Sequence, residues 1–138
     1  MENKFIRPLA LAIIKKDDSI LVQVGFDSKK NQKFYRIPGG GIEFGETGIM
    51  ALNREFMEEF GSKINNIELL GFVENIFTYE GESGHELVVV YKADLVKESL
   101  YHEEEIRILD NDESYAIWEN IDVLKNKYFY PNGINKFV

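Results

Sequence analysis

The stretch that decides the fold is residues 40–61, GGIEFGETGIMALNREFMEEFG. It carries three glutamates within five residues, Glu55, Glu58 and Glu59. Residues three and four apart share one face of a helix, so the three carboxylates are predicted to converge on one point. Like charges at this spacing destabilise an isolated helix slightly. A bound divalent cation would reverse that penalty.

The residues around the glutamates predict a helix. Thr47 can cap its N-terminus and Gly61 can end it. The apolar residues that recur every three or four positions form the predicted core-facing stripe: Ile49, Leu52, Phe56 and Phe60. The glutamates are centred roughly 100° from that stripe. Two small residues on the glutamate side, Gly48 and Ala51, would leave room for metals and phosphates beside the acids.

The rest of the chain predicts a mixed sheet with helices packed on it, an α/β or α+β layered domain. Extended segments are predicted at residues 7–15, 19–24, 34–37, 42–44, 67–79, 86–95 and 114–118, and a closing helix at residues 121–127. The two longest strands are separated by residues 80–84 and predict a hairpin. Residues 38–41, PGGG, are predicted to be irregular and to allow close approach of the backbone to a ligand. Because no repeat, linker or domain boundary is visible, one domain is expected over residues 1–138.

The composition excludes several classes of protein. The chain has 138 residues, of which 44% are hydrophobic and 29% charged, which excludes a disordered chain. Its net charge of −8 argues against a general nucleic-acid-binding surface. No apolar run is long enough to span a membrane, and the N-terminus lacks the core of a signal peptide, so a cytoplasmic location is expected. The absence of cysteine excludes disulfides and thiolate nucleophiles.

Seven residues of the central stretch stand at the offsets of a known signature: Gly40, Glu46, Arg54, Glu55, Glu58, Glu59 and Gly61. The pattern resembles the box of the Nudix hydrolases, MutT-like proteins, G-x5-E-x7-R-E-U-x-E-E-x-G-U, where U is a bulky aliphatic residue. The box covers residues 40–62. Phe56 is aromatic and Ser62 is polar at U positions, and both departures concern packing because neither position carries chemistry.

The resemblance implies an α/β/α sandwich around a central mixed β-sheet. It also implies a Mg²⁺-dependent pyrophosphohydrolase, with Mn²⁺ as a substitute, that cleaves a phosphoanhydride in a nucleoside diphosphate linked to another moiety X. Glu55, Glu58 and Glu59 are the implied catalytic residues and metal ligands, together with the backbone carbonyl of Gly40. Dimers are common among proteins resembling this one, so a homodimer is an open expectation.

Arg54 and Glu46 are predicted to position the site, with Arg54 pairing with Glu46 or with Glu58. The general base is either a box glutamate or a carboxylate of a later loop. The candidates outside the box are Glu86, Glu103, Glu104, Glu105, Asp112 and Glu113. Glu113 is preferred among them because it lies just before the strand predicted at residues 114–118, where members of the family often carry an auxiliary acid.

The moiety X is not encoded in the box. Arg36, Tyr35 and His85 are the predicted substrate contacts. Lysines cluster near Arg36 at positions 29, 30 and 33, where they either attract a phosphorylated substrate or solvate a loop. The aromatic residues that could stack on a base, or belong to the core, are Phe34, Tyr35, Phe77 and Tyr79. Two alternatives stay open: a nucleotide-sensing domain without turnover, which the complete set of box acids disfavours, and a hydrolase of non-nucleotide diphosphates.

Overall fold

The computed structural model describes residues 4–138 of the chain. These residues form nine strands and two α-helices. The strands are β1 (Arg7–Lys16), β2 (Ser19–Asp27), β3 (Gln32–Arg36), β4 (Gly39–Gly41), β5 (Ile64–Tyr79), β6 (Glu82–Leu95), β7 (Glu105–Arg107), β8 (Tyr115–Asn120) and β9 (Phe129–Tyr130). The helices are α1 (Gly48–Phe60) and α2 (Ile121–Leu124), with short 3₁₀ helices at Glu98–His102 and Ile134–Phe137.

The strands form a mixed sheet in the order β5-β6-β1-β2-β3-β9. Strand β1 runs parallel to β6 from Arg7 to Ile14 and pairs antiparallel with β2 only at its last two residues. Strand β4 also pairs with β1, while β8 pairs with β2 and carries β7 on its other edge. The predicted hairpin is confirmed as β5 and β6, joined at Glu80 and Gly81.

Strand β1 is buried on both faces and divides the core into two parts. Its even-numbered residues Ala10, Ala12 and Ile14 pack with the buried side of α1. Its odd-numbered residues Leu9, Leu11 and Ile13 lie on the opposite face with Leu124 of α2 and Ile134 of the C-terminal 3₁₀ helix. Alternate side chains of a strand point to opposite faces, so helices cover both sides of one sheet. The predicted α/β (α+β) class with a central mixed sheet is therefore confirmed.

Helix α1 begins and ends where the sequence predicts. The Thr47 hydroxyl oxygen accepts a hydrogen bond from the backbone N–H of Met50 at 3.1 Å, which satisfies a donor with no partner inside the helix. Gly61 adopts the left-handed conformation with φ of 63°, and its N–H donates to the carbonyl of Met57 at 3.0 Å. Replacing such an N-cap with alanine typically costs about 1 kcal/mol.

The predicted core-facing stripe is correct at Leu52, Phe56 and Phe60, which are buried, and wrong at Ile49, which is 46% exposed. The buried arc of α1 is instead completed by Ala51. Gly48 is also turned towards the sheet, since a Cβ there would overlap the hydroxyl of Tyr91 on β6. The prediction that Gly48 and Ala51 leave space for metals is therefore wrong: their small size lets the helix approach the sheet.

Three further predictions are corrected by the backbone. Gly39–Gly41 are not irregular, because they form strand β4 and pair with Leu9–Leu11 of β1, whereas Pro38 lies in a bend before it. Residues 42–44 come after that strand and are not extended into one. The closing helix ends at Leu124 rather than residue 127.

Within residues 4–138, no helix combines the length and apolar character needed to cross a membrane.

Candidate active site

Arg54 is the centre of a network that ties helix α1 to the loop before it. Its Nε and Nη2 donate to the two carboxylate oxygens of Glu46 at 2.8 and 2.9 Å, and Nη2 also donates to the carbonyl of Gly41 at 2.9 Å. Its Nη1 donates to Glu55 at 2.8 Å and lies 3.4 Å from Glu58. These bonds lower the pKa of Glu46 to about 2 and raise the pKa of Arg54.

Glu59 lies beside Glu55 and is turned into the protein. Its side chain is buried, and one carboxylate oxygen accepts a hydrogen bond from Gln23 Nε2 of β2 at 2.9 Å. Burial raises the pKa of Glu59, and the neighbouring Glu55 carboxylate raises it further. Buried carboxylates resist ionisation because the charged form loses its hydration.

The predicted convergence of all three glutamates is wrong. Glu58 is 47% exposed and contacts Arg54, whereas Glu59 is buried beside Glu55. Across residues 4–138, no group of three or more acidic or histidine side chains is arranged to hold a metal ion. The arrangement is therefore a pair of adjacent carboxylates, Glu55 and Glu59, with Glu58 outside it.

The glycines of β4 bring backbone close to this pair. A Cβ on Gly40 would lie 2.6 and 2.7 Å from the Glu55 oxygens, so any larger residue there would displace the Glu55 carboxylate. In the register of β4 with β1, the N–H of Ala12 donates to the carbonyl of Pro38 and the N–H of Ile42 donates to the carbonyl of Pro8. Hydrogen-bonded pairs alternate in an antiparallel ladder, so Gly40 faces its partner on β1. The carbonyls of its two neighbours, Gly39 and Gly41, are directed the other way.

A cavity of about 490 Å³ opens beside Glu59. Polar and charged residues line much of it: Arg7, Gln23, Asp27, Lys30, Gln32, Arg36, Asn75, Glu86, Asp110, Asn111 and Ser114. Four aromatic side chains also line it: Phe34, Phe77, Tyr79 and Tyr130. Gly39 is a further lining residue. The volume is within the range of pockets that bind small molecules, about 300–1,000 Å³.

The predicted substrate contacts are placed differently from one another. Arg36 lines the cavity, and its Nε is buried without a hydrogen-bond partner among the described residues. Tyr35 is buried in the core and does not line the cavity. His85 does not line it either, although its Nε2 is buried and has no partner within residues 4–138. Phe34, Phe77 and Tyr79, three of the four aromatic residues named from the sequence, do line it.

The acidic residues of the later loop differ in whether they line the cavity. Glu113 is exposed and does not line it, whereas Asp110, three residues earlier, does. The charge of Asp110 contributes to the raised pKa of Glu59. Asp110, Gln23 and Asn75 were not found from the sequence, because their polar side chains carry no spacing that separates them from surface residues. Glu86 had a signal, since it stands next to the apolar run at residues 87–91.

The NUDIX domain family matches the chain over residues 6–136. The chain belongs to the Nudix family. This confirms the resemblance that the box at residues 40–62 carries.

Curated relatives of this Nudix chain include the RNA pyrophosphohydrolase of Pelagibacter ubique (strain HTCC1062), 32% identical over 83 residues. That match covers 57% of this chain and 50% of the relative. The RNA pyrophosphohydrolase of Francisella philomiragia is 25% identical over 72 residues, which are 52% of this chain and 44% of that protein. The chain thus spans about half the length of the curated relatives it matches.

Solved structures share the fold over nearly the whole chain. A NUDIX hydrolase from Nitrosomonas europaea has a TM-score of 0.66 and 23% identity, covering 93% of this chain and 82% of its own. A MutT NUDIX hydrolase from Burkholderia pseudomallei has a TM-score of 0.65 and 22% identity, covering 97% and 95%. At these identities the likeness concerns the fold.

Proposed function

We propose that this Nudix protein is a Mg²⁺-dependent pyrophosphohydrolase that cleaves a phosphoanhydride bond in a nucleoside diphosphate linked to another moiety X. The observation that carries the proposal is the placement of Glu59 on the wall of the cavity, with Glu55 directly beside it. Hydrolysis of a phosphoanhydride adds water across a P–O–P bond that is crowded with negative charge. Two carboxylates beside a cavity of suitable size can hold the cation that such a substrate requires.

The residues present fit a divalent cation. Glu55 and Glu59 lie side by side, and burial together with the Glu55 carboxylate raises the pKa of Glu59. Mg²⁺ binds through one or two carboxylates, keeps several waters and takes the remaining ligands from substrate phosphates. Glu55 and Glu59 would hold it, and Mn²⁺, which prefers the same oxygen ligands, would replace it. When bound, the cation would neutralise phosphate charge and lower the pKa of a water molecule.

The backbone ligand is better assigned to Gly39 than to Gly40. The carbonyl of Gly40 faces β1, while Gly39 lines the cavity and its carbonyl is directed away from β1. The Gly41 carbonyl, directed to the same side, is already bound by Arg54. We therefore propose the carbonyl of Gly39 as the backbone ligand, in place of the carbonyl of Gly40 that the family resemblance implies.

The chain's own residues have distinct roles in this proposal. Arg54, fixed by Glu46, holds Glu55 in place by a hydrogen bond. Gln23 fixes one oxygen of Glu59. Arg36 would bind a phosphate of the substrate, because its buried Nε lacks a partner among the described residues and a guanidinium suits phosphate oxygens.

The base that activates the water would be a carboxylate on or near the cavity. Glu59, Glu86 and Asp110 line the cavity, whereas the exposed Glu113 does not. Glu59 and Asp110 are the proposed bases, because Asp110 is close enough to act on the charge of Glu59 beside the proposed metal. Glu58 stays a predicted ligand that would have to leave Arg54 to reach a metal. Comparing kcat for Asp110→Asn and Glu113→Gln decides between the two loop acids, since replacing the true base should lower kcat by more than a hundredfold.

The expected substrate is a small nucleotide rather than a long RNA. The curated relatives are named RNA pyrophosphohydrolases, which makes the triphosphate end of an RNA a natural member of any substrate panel. The net charge of −8 opposes extended contact with a nucleic-acid backbone. Tyr35 and His85, named from the sequence as substrate contacts, are not needed by a substrate held in the cavity.

A product assay with Mg²⁺ tests the proposal. The panel contains dinucleoside polyphosphates, ADP-ribose, nucleotide sugars, nucleoside triphosphates and a triphosphate-ended RNA, with inositol pyrophosphates and an isoprenoid diphosphate as non-nucleotide members. We expect a nucleoside monophosphate among the products, and loss of turnover by more than a hundredfold in Glu55→Gln and Glu59→Gln. Turnover of the non-nucleotide members alone would reassign the substrate. Wild-type rates in both variants would refute the metal assignment, and nucleotide binding without turnover would indicate a sensing domain.

A further inference from the structure

The cavity contains a second buried carboxylate, Glu86 of β6, that the proposed reaction does not use. Glu86 is 7% exposed and Asn75, its cross-strand partner on β5, is 4% exposed. Asn75 Nδ2 donates to Glu86 Oε1 at 3.1 Å. The other end of the amide is fixed as well, since Asn75 Oδ1 accepts from the backbone N–H of Asn132 at 3.2 Å. Asn75 therefore holds the Glu86 carboxylate in one orientation.

This carboxylate has acceptor capacity to spare. A carboxylate offers about four acceptor positions, and one neutral amide occupies a single one of them. None of the salt bridges within residues 4–138 includes Glu86. Burial of such a group is costly unless hydrogen-bond donors surround it. Because Glu86 lines the cavity, a ligand in the cavity can supply the missing donors.

A flat aromatic surface lies next to Glu86. Phe77 is two residues after Asn75 on β5, and its partner Gly84 is two residues before Glu86 on β6. Residues two apart share one face of a strand and lie about 7 Å apart. The Phe77 ring lies directly on Gly84, where a Cβ would collide with it. Phe34 lies on Gly25 in the same way, and both rings line the cavity.

A stacking ring beside a carboxylate suits a planar ligand whose edge donates hydrogen bonds. Among the common bases, guanine alone presents two adjacent donors, N1–H and the N2 amino group, which match the two oxygens of a carboxylate. Adenine and cytosine place a ring acceptor beside the amino group, which a carboxylate repels. Uracil presents a single N–H between two carbonyls. The aromatic lining favours a base over the hydroxyls of a sugar, since stacking uses the face of a flat ring.

We propose that Glu86, positioned by Asn75, selects a guanine base by accepting hydrogen bonds from its N1–H and N2 amino group, so that the substrates of this enzyme are guanosine diphosphate derivatives. The inference rests on the proposed function, because it assigns the base of the same substrate. Asn75 acts through Glu86 and is a positioning residue.

The test compares kcat/KM for three substrates that share one moiety X and differ in the base: guanosine, inosine and adenosine. Inosine keeps N1–H and lacks the amino group, so the wild-type protein should prefer guanosine over inosine by about 10- to 100-fold, the value of one hydrogen bond to a charged group. Adenosine, which lacks both donors in this arrangement, should be slower again. A guanosine-to-inosine ratio near one in the wild-type protein would overturn the inference without any variant.

Variants separate the role of Glu86 from general damage. Glu86→Gln should lower kcat/KM for guanosine by about 10- to 100-fold and leave adenosine nearly unchanged. Asn75→Ala should reduce the guanosine-to-inosine ratio in the same direction, which a merely structural role would not do. The matched control is Glu74→Gln, which makes the same charge change on the exposed face of β5 and should change no ratio. If Glu86→Gln does not fold, as judged by its circular dichroism, the wild-type ratios alone decide.

The outcomes distinguish this inference from the proposed function. Turnover of all three nucleosides at equal rates would refute base selection by Glu86 and leave the pyrophosphohydrolase proposal standing. Turnover could instead depend on a sugar in X, and Glu86→Gln could remove that dependence. This result would show that Glu86 binds sugar hydroxyls and would also refute base selection. Absence of turnover for every nucleotide tested with Mg²⁺ would refute both proposals.

Discussion

Replacing Glu59 with glutamine should stabilise the metal-free protein while it abolishes turnover. The carboxylate is 6% exposed and lies beside Glu55, so its charged form is poorly solvated and repelled. Glutamine has the same shape, its carbonyl can still accept from Gln23, and its amide can donate to Glu55. The variant therefore keeps the local hydrogen bonds without the second negative charge.

The pH dependence of stability gives the size of the expected stabilisation by Glu59→Gln. The pKa of Glu59 is raised in the folded protein above its ordinary value of 4.5. The stabilisation by the protonated form is therefore complete below that ordinary value and is lost as the pH rises through the folded-state pKa. One such group changes the free energy of unfolding by at most about 1.4 kcal/mol per pH unit. Between pH 6 and pH 8, the metal-free wild-type protein should lose up to about 2.7 kcal/mol that Glu59→Gln retains.

Urea unfolding in EDTA, followed by the fluorescence of the single tryptophan, Trp118, measures this difference. Adding Mg²⁺ at about 100 times its dissociation constant should stabilise the wild-type protein by about 2.7 kcal/mol and the variant by less. Glu58→Gln is the control, since it removes the charge of a glutamate that is 47% exposed. Equal pH dependence in wild type and Glu59→Gln, or a less stable variant at pH 8, would refute the account of Glu59 as a strained carboxylate.

Three more substitutions have defined outcomes. Gly48→Ala should destabilise the protein by about 1–3 kcal/mol in urea unfolding, despite the better helix propensity of alanine, because the new methyl group overlaps Tyr91. Arg54→Lys should lower kcat more than tenfold, since an ammonium cannot make the paired bonds to Glu46 and hold Glu55 as well; wild-type kcat would show that the network only supports the fold. Asp110→Asn should lower the pKa of Glu59, because it removes a negative charge that raises this pKa. An unchanged pH–rate profile would show that Asp110 does not act on Glu59.

The sequence predicts well those features that depend on neighbours along the chain. The caps at Thr47 and Gly61 follow from hydrogen bonds within one helical turn. The contact of Arg54 with Glu46 joins residues eight apart, across the start of the same helix. The hairpin of β5 and β6 follows from two long extended segments and a glycine turn. Each of these contacts is local, so forming it closes only a short loop and costs little chain entropy.

The sequence predicts the core-facing side of α1 at Leu52, Phe56 and Phe60, but it does not predict where burial ends around the helix. Helical spacing places Glu58 and Glu59 close together, yet one is exposed and the other is buried. The difference arises from how α1 lies against β4 and against β1, of which β1 is far away in sequence. The same distant pairing turns residues 39–41 into a strand and directs the carbonyl of Gly39, rather than that of Gly40, away from β1. Local propensity cannot decide such contacts, because tertiary packing overrides it.

The partners of the carboxylates separate the supporting groups from the reactive ones. Glu46 is bound by Nε and Nη2 of the Arg54 guanidinium, which neutralises its charge and lowers its pKa. Glu59 and Glu86 are each held by one neutral amide, from Gln23 and Asn75 respectively. An amide fixes the orientation of a carboxylate without neutralising its charge, so the free oxygens can still bind a cation or an N–H donor. An arginine in either position would occupy the oxygens that the ligand needs. The choice of amides in this cavity is therefore the physical reason to assign both carboxylates to ligand binding.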